Sequence, residues 1–157
     1  DLGDDVVVLV RGHSRTLLPG RDAEGTRVID VTGFPDTTRL LLAADALVTD
    51  YSSVMFDFSA TGKPMYFLVP DIEHYRGELR GFYFDLEAHA PGPVARTRDE
   101  LLAALRSDTT EVYAERYAHW QAKFNAHDDG HASRRVVKRL FAAGFIDANP
   151  RGSETGA

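Results

Sequence analysis

Three clusters of residues in this chain have the types and spacing to handle an anion. The first is Thr49-Asp50-Tyr51-Ser52-Ser53, which closes the apolar run Ala46-Leu47-Val48 and leads into Val54-Met55-Phe56-Asp57-Phe58. A strand that feeds a helix through hydroxyl-bearing residues sets side-chain donors beside the free N–H groups of the first helical turn. The helix dipole favours negative charge at the same place. The chemistry is phosphate binding. The same residue types also serve as caps, and Asp50 or Ser52 as the N-cap of the following helix accounts for the spacing equally well.

The second cluster is Arg11-Gly12-His13-Ser14, directly after an apolar run. His13 beside a phosphate would donate a hydrogen bond or a positive charge and help a phosphoryl leaving group depart. Arg11 follows the same logic, and a solvated loop histidine and arginine are the plainer alternative. The third is Asp128-Asp129-Gly130-His131. Asp129 or Gly130 there caps a helix or turns its amides toward a ligand. Adjacent carboxylates at a helix start match no strong metal-ligand spacing, so no metal is expected. Between these lies Tyr75-Arg76-Gly77-Glu78-Leu79-Arg80-Gly81-Phe82-Tyr83-Phe84-Asp85. Its two arginines and its aromatics suit a polyanion or a stacked base. They equally suit a packed loop in which Arg76 and Arg80 pair with Glu73, Glu78 or Asp85.

The elements that must position these clusters alternate in type. Residues 6–10 form a continuous β-branched run, which predicts a strand buried on both faces. Residues 27–31, 46–49 and 65–69 are further strand candidates. Helices are predicted over 37–44, with Asp36 as cap and Leu40, Leu41 and Leu42 as apolar face, and over 52–60, stopped by Gly62-Lys63-Pro64. Residues 71–92 have no clear period and are expected to be a long loop with short helical turns. Thr97 and Glu100 make a capping box, and helices follow over 111–124 and 132–143, with Gly144 as a C-cap. Strands alternating with helices predict the α/β class with a Rossmann-like parallel sheet. Ligands bind such sheets at the C-terminal strand ends, where residues 11–14 and 49–53 both fall.

At 157 residues the chain has the length of one domain and can bury a real core. A net charge of −6 argues against a general nucleic-acid binder, and any phosphate site must be built locally. The absence of cysteine excludes disulfides, thiolate metal sites and cysteine nucleophiles. Walker, G-x-G-x-x-G and G-x-S-x-G motifs are missing, which removes the common NTPase, dinucleotide and hydrolase classes. No stretch is taken as a basic amphipathic membrane helix, so an anchor is expected elsewhere. The start at Asp1, almost on a strand, suggests a piece of a longer protein. A domain over 1–147 and a disordered tail over 148–157 are expected.

Residues 49–57, then Tyr75-Arg76-x-Glu78-Leu79-Arg80-Gly81-Phe82-Tyr83-Phe84-Asp85, then Ala90-Pro91-Gly92-Pro93 resemble the CDP-glycerol:poly(glycerophosphate) glycerophosphotransferases. These are the teichoic-acid polymerases, with ribitol-phosphate and capsule-polymerase relatives. The three blocks occur in order and at family spacing. The resemblance implies a GT-B glycosyltransferase-like enzyme, of which this chain is the C-terminal, CDP-donor-binding half, with one more strand ahead of residue 6. It implies that His13 contacts the donor phosphates and is the catalytic residue of this half. Arg11, Thr49, Asp50, Ser52, Ser53, Arg76, Arg80, Asp129 and Gly130 are the expected substrate-binding residues. The general base is implied to be a histidine on the N-terminal half, so the isolated fragment is expected to be inactive.

The implied reaction transfers glycerol phosphate from CDP-glycerol to a lipid-linked polyol-phosphate acceptor with release of CMP, without cofactor or metal and at the inner membrane face. A CDP-ribitol or nucleotide-sugar donor, or a non-catalytic nucleotide-binding scaffold, are the alternatives.

Overall fold

Glycines, prolines and polar caps set the element boundaries, and the computed structural model follows them closely. It describes residues 2–3, 5–12, 27–79, 81 and 83–144, the side chains of 78 and 79 excepted. His13, Ser14, Arg80 and the tail over 148–157 lie outside them.

Strands β1 (Val8–Val10) and β2 (Val28–Asp30) pair in parallel, with Val8 opposite Val28. Strands β3 (Leu47–Thr49), β4 (Met65–Leu68) and β5 (Val94–Ala95) form a second parallel sheet in that order, with Leu47 opposite Met65 and Phe67 opposite Val94. The helices are α1 (Thr37–Ala43), α2 (Val54–Ser59), α3 (Ile72–His74), α4 (Leu86–His89), α5 (Arg98–Leu105), α6 (Thr110–Phe124) and α7 (Ala132–Ala142). A π-helical turn, Tyr75–Leu79, continues α3. Parallel strands flanked by helices make this the α/β class that the alternation predicts.

Several helix ends are as their sequences dictate. The Asp36 carboxylate accepts from the Arg39 N–H at 3.1 Å, and Thr97 with Glu100 completes the capping box. Lys63 donates through Nζ to the carbonyls of Leu42 (2.8 Å) and Ala44 (2.7 Å), closing α1 with a cation where the helix leaves its carbonyls unpaired.

The core lies between β4, α2 and α6. Phe58, Phe67, Val69 and Leu86 are fully buried, with Met55, Met65, Ile72 and Trp120 nearly so. The two-residue β5 escapes sequence detection because it is too short to show a period. Its position depends on Gly92, where a Cβ would stand 1.8 Å from the Met65 carbonyl oxygen, so only glycine lets this turn pass. In this structure the Ala90-Pro91-Gly92-Pro93 block is a packing feature.

Three expectations are corrected. Residues 6–10 are not buried on both faces: Val6 is 37% exposed and Val7 57%, because β2 is the only strand that pairs with β1 among the described residues. Leu42 is 62% exposed, since three consecutive helical residues cannot share one face, while Leu41 packs against the core. And α7 is a basic amphipathic helix, with Arg134, Arg135, Lys138 and Arg139 opposed to Val136, Val137, Leu140 and Phe141. Among the described residues no helix is long and apolar enough to cross a membrane.

Candidate functional site

The loop over 49–53 leaves the C-terminal end of β3, beside β4, and enters α2. Local bonds consume part of its donor capacity. Asp50 Oδ1 accepts from the Ser52 N–H at 2.9 Å, and Ser52 Oγ accepts from the Val54 N–H at 3.4 Å. The helix begins at Val54 with Ser53 at the N-cap position, and Ser53 makes no side-chain cap bond. Asp50 and Ser52 both shape the turn, Ser52 by accepting a cap-type bond from the Val54 N–H that leaves its own O–H free to donate. Helix α2 has only six residues, so a strong helix dipole is not what this loop offers. What it offers is Ser53. Among the described residues its N–H and its hydroxyl are both uncommitted, and it is exposed at the strand end. The Thr49 hydroxyl is likewise uncommitted, on a half-buried side chain.

Tyr51 has the opposite role. Its hydroxyl donates to Asp71 Oδ1 at 2.7 Å, and its ring stacks on Tyr75 with centroids 4.0 Å apart. Burial first, and then the Asp71 carboxylate, hold the phenol well above its ordinary value, so at neutral pH it stays a donor and does not act as an acid or base. Tyr51 thus fastens the 49–53 loop to the turn after β4. From that turn Arg76 reaches Glu87 at 3.0 Å, with Glu73 and Asp85 at 3.7 Å. Arg96, just after β5, meets Glu87 at 2.8 Å and Glu73 at 3.1 Å. Hydrogen bonds from Arg96 and then Arg76 hold the Glu87 carboxyl below its usual range. Arg76 is therefore paired with carboxylates, which is the packed-loop alternative.

The Asp128-Asp129-Gly130 turn joins the same assembly through a residue that sequence analysis passed over. Asn125, at the end of α6, donates through Nδ2 to the Phe56 carbonyl in α2 (3.0 Å) and to Asp128 Oδ2 (2.9 Å). Its Oδ1 lies 2.7 Å from the buried Ser59 hydroxyl. Asp129 accepts from Arg135 at 2.7 and 2.6 Å and from the His131 N–H at 2.9 Å, so Arg135 first and that amide second lower its pKa. Gly130 has φ +76°, a backbone conformation that favours glycine, and so shapes the entry to α7. Phe56 of the first block, Phe84 of the second and Trp120 and Phe124 of α6 share one aromatic cluster, with Phe56 stacked on Trp120 at 5.3 Å. Two of the family-like blocks and the 128–130 turn are thereby bound into one structural unit.

Arg11 stands apart from that unit. It donates to the carbonyls of Phe34 (2.8 Å) and Val31 (3.4 Å), bracing the turn after β2, and no hydrogen bond or ion pair links it to residues 49–53 among the described residues. Asp71, Asn125 and Arg135 are the contributors that sequence analysis missed; their partners are brought in by the fold, and no motif marks them. A cavity of about 240 Å3 lies at the N-terminal end of β4, between Gly62, Met65, Gly92 and Tyr117. It has no charged lining and sits at the opposite end of the sheet from Ser53. Among the described residues no group of three or more His, Cys, Asp or Glu side chains is placed to hold a metal.

Residues 1–142 match the family described as CDP-Glycerol:Poly(glycerophosphate) glycerophosphotransferase. A teichoic acid glycerol-phosphate transferase of Staphylococcus aureus is 39% identical over 142 residues, which are 89% of this chain and 36% of that protein. A teichoic acid ribitol-phosphate primase of Bacillus spizizenii is 35% identical over 142 residues, 90% of this chain and 36% of that protein. Among solved structures, the wall teichoic acid polymerase TagF superposes with a TM-score of 0.76 at 33% identity, covering 90% of this chain and 36% of that one. TagF has also been solved as a histidine-to-asparagine variant soaked with CDPG. The chain spans little more than a third of the length of these relatives.

Proposed function

Because this chain belongs to the CDP-glycerol:poly(glycerophosphate) glycerophosphotransferase family, we propose that it is the donor-binding half of a GT-B-type enzyme that transfers glycerol phosphate from CDP-glycerol to a teichoic-acid-like polymer. The observation that carries this is Ser53. It offers an uncommitted N–H and an uncommitted hydroxyl at the C-terminal end of a parallel strand, beside the uncommitted Thr49 hydroxyl. Together with Thr49 it supplies donors to the diphosphate. Asp50, Ser52 and Tyr51 hold the loop in shape, and Asp129 and Gly130 shape the neighbouring turn. Arg76 acts through its ion pairs, with Glu87 as hub. His13 and Arg80 are proposed as further anion contacts; Arg11, which donates to the Phe34 and Val31 carbonyls, would have to exchange those bonds to join them.

In the reaction a terminal hydroxyl of the acceptor attacks the phosphorus that carries glycerol. A new P–O bond forms as the bond to the CMP phosphate breaks, the hydroxyl proton goes to a base outside these residues, and CMP leaves with the bridging oxygen. Positioning of the donor and neutralisation of the charge building on CMP are the tasks of this half. Hydroxyls, an amide and His13 suffice for this, so donor binding is metal-independent. CDP donors are made in the cytoplasm and the acceptor is lipid-linked, which sets the full-length protein at the inner face of the membrane. CDP-ribitol is the second donor candidate, favoured by the similarity to a ribitol-phosphate primase.

The test is CMP release by the full-length protein with a lipid-linked primer and either CDP-glycerol or CDP-ribitol, with and without EDTA. Turnover of CDP-glycerol that survives EDTA is expected. Turnover of neither donor would remove the enzymatic assignment, turnover of CDP-ribitol alone would change the donor, and loss on EDTA addition would reverse the metal-free mechanism.

A further inference from the structure

An aspartate at a helix N-cap ordinarily accepts from the free N–H groups of the first turn. Asp71 stands at that position ahead of α3 and makes no such side-chain bond. Its carboxylate is turned to the neighbouring strand end instead, where Oδ1 accepts from the Tyr51 hydroxyl at 2.7 Å. Its backbone carbonyl accepts from the Tyr75 N–H at 2.9 Å. One residue therefore holds both members of the tyrosine pair, whose rings lie 4.0 Å apart and within 15° of parallel. Tyr51 is the middle residue of the 49–53 loop, with Thr49 on one side of it and Ser53 on the other. The bonds from the Ser52 N–H to Asp50 and from the Val54 N–H to Ser52 fold that loop on itself. The Tyr51 side chain is what carries it across to the turn after β4.

We propose that Asp71 is a positioning residue for the nucleotide donor: acting through Tyr51, it sets where Ser53 and Thr49 present their hydrogen-bond donors to the diphosphate. The inference rests on the donor-site reading given above and adds to it a residue that does not itself touch the ligand. A phenol donating to a carboxylate makes a charge-assisted bond, and a stacked ring fixed at its tip leaves its own backbone little freedom. Donors held in place before the ligand arrives lose less freedom when it binds, and that saving appears as affinity. The forgone cap bond fits this role, because the same carboxylate cannot turn to the α3 amides and still hold Tyr51 in this geometry.

The experiment is calorimetric titration of the full-length protein with CDP-glycerol. The unaltered protein is compared with Asp71→Ala, Tyr51→Phe, the double variant Tyr51→Phe/Asp71→Ala, Asp71→Asn and, as a control on the site itself, Ser53→Ala. Tyr51→Phe keeps the ring and loses only the hydroxyl, so it tests the link even where Asp71→Ala disturbs α3. Asp71→Ala and Tyr51→Phe should each bind about fivefold more weakly. The double variant should bind no more weakly than either, because both changes cut one link. Asp71→Asn, whose side-chain oxygen still accepts from Tyr51, should recover most of the loss. Full affinity in Asp71→Ala and Tyr51→Phe beside a weakened Ser53→Ala would overturn this inference and leave the donor site standing. Full affinity in Ser53→Ala as well would remove both. Losses that add in the double variant would overturn it, since the two residues then act separately. So would an Asp71→Asn as weak as Asp71→Ala, since the carboxylate then does something other than hold Tyr51.

Discussion

The two sheets have the same sequence texture and opposite surroundings. Both are short parallel ladders of mostly apolar residues, each with one polar position at its C-terminal end, Asp30 in β2 and Thr49 in β3. In the β3–β4–β5 sheet, Phe67 and Val69 are inaccessible to solvent, with α2 and α6 completing the core. In the β1–β2 sheet, Leu9 is 39% exposed and Ile29 49%, and Val7 just ahead of β1 is 57% exposed. Helices supplied later in the chain, and not the composition of the strand, bury a strand. The consequence for function is direct. Ser53 sits on the sheet fixed by core, Tyr51 and the Glu87 hub, whereas Arg11 sits on the sheet that has the least packed around it.

The sharpest way to break this comparison is Gly92→Ala. The added Cβ meets the Met65 carbonyl, and β5 must move off β4, at a cost of about 3 kcal/mol or more. Urea unfolding should show it; an unchanged midpoint would mean that the turn is not tight. A matched pair comes next. Val69→Ala should cost about 2 kcal/mol and Val7→Ala under about 0.5 kcal/mol, because only the first empties a packed site. Equal costs would erase the distinction between the sheets.

Asn125→Ala should cost about 2 kcal/mol by chemical denaturation, since it strips the buried Ser59 hydroxyl of one of its two close partners and frees the 128–130 turn. It should also weaken donor binding if that turn belongs to the site; an unaltered stability would remove Asn125 as the link.

The smallest effect depends on pH. Glu87 is held below its ordinary value of 4.5, so its stabilisation is complete above that pH and is lost as pH falls through the lowered value. In Glu87→Gln this part of the acid limb of a stability–pH profile should disappear, with little change of slope above pH 5. An unchanged acid limb would mean that Arg76 and Arg96 are not organised through Glu87.

The α/β class was legible because 3.6-residue and strand-like patterns alternate and the caps at Asp36 and Thr97 are local signals. Strand β5 and the exposure of β1 were not, since one depends on a close approach at Gly92 and the other on which elements cover a strand. Around residues 49–53 the strand-to-helix turn was legible but the hydrogen bonding within it was not. Ser52 and Ser53 are adjacent and identical, yet one gives its N–H to Asp50 and accepts from the Val54 N–H while the other has neither its N–H nor its hydroxyl engaged among the described residues. Arg76 and Asp129 are expected ligand contacts from sequence, and the fold adds ion pairs to Glu87 and Arg135 that no local spacing marks. Asn125 carried no signal, because its partners in α2 are 66 and 69 residues away.

The central claim is that Ser53 is the open donor at the diphosphate seat while Ser52 serves the loop. Calorimetric titration of the full-length protein with CDP-glycerol, for the unaltered sequence and for Ser53→Ala, tests it most directly. A hydrogen bond to a charged phosphate is worth about 1.5–3 kcal/mol, so the variant should bind at least about tenfold more weakly with an unchanged thermal midpoint. Equal affinity for the two proteins would contradict the account.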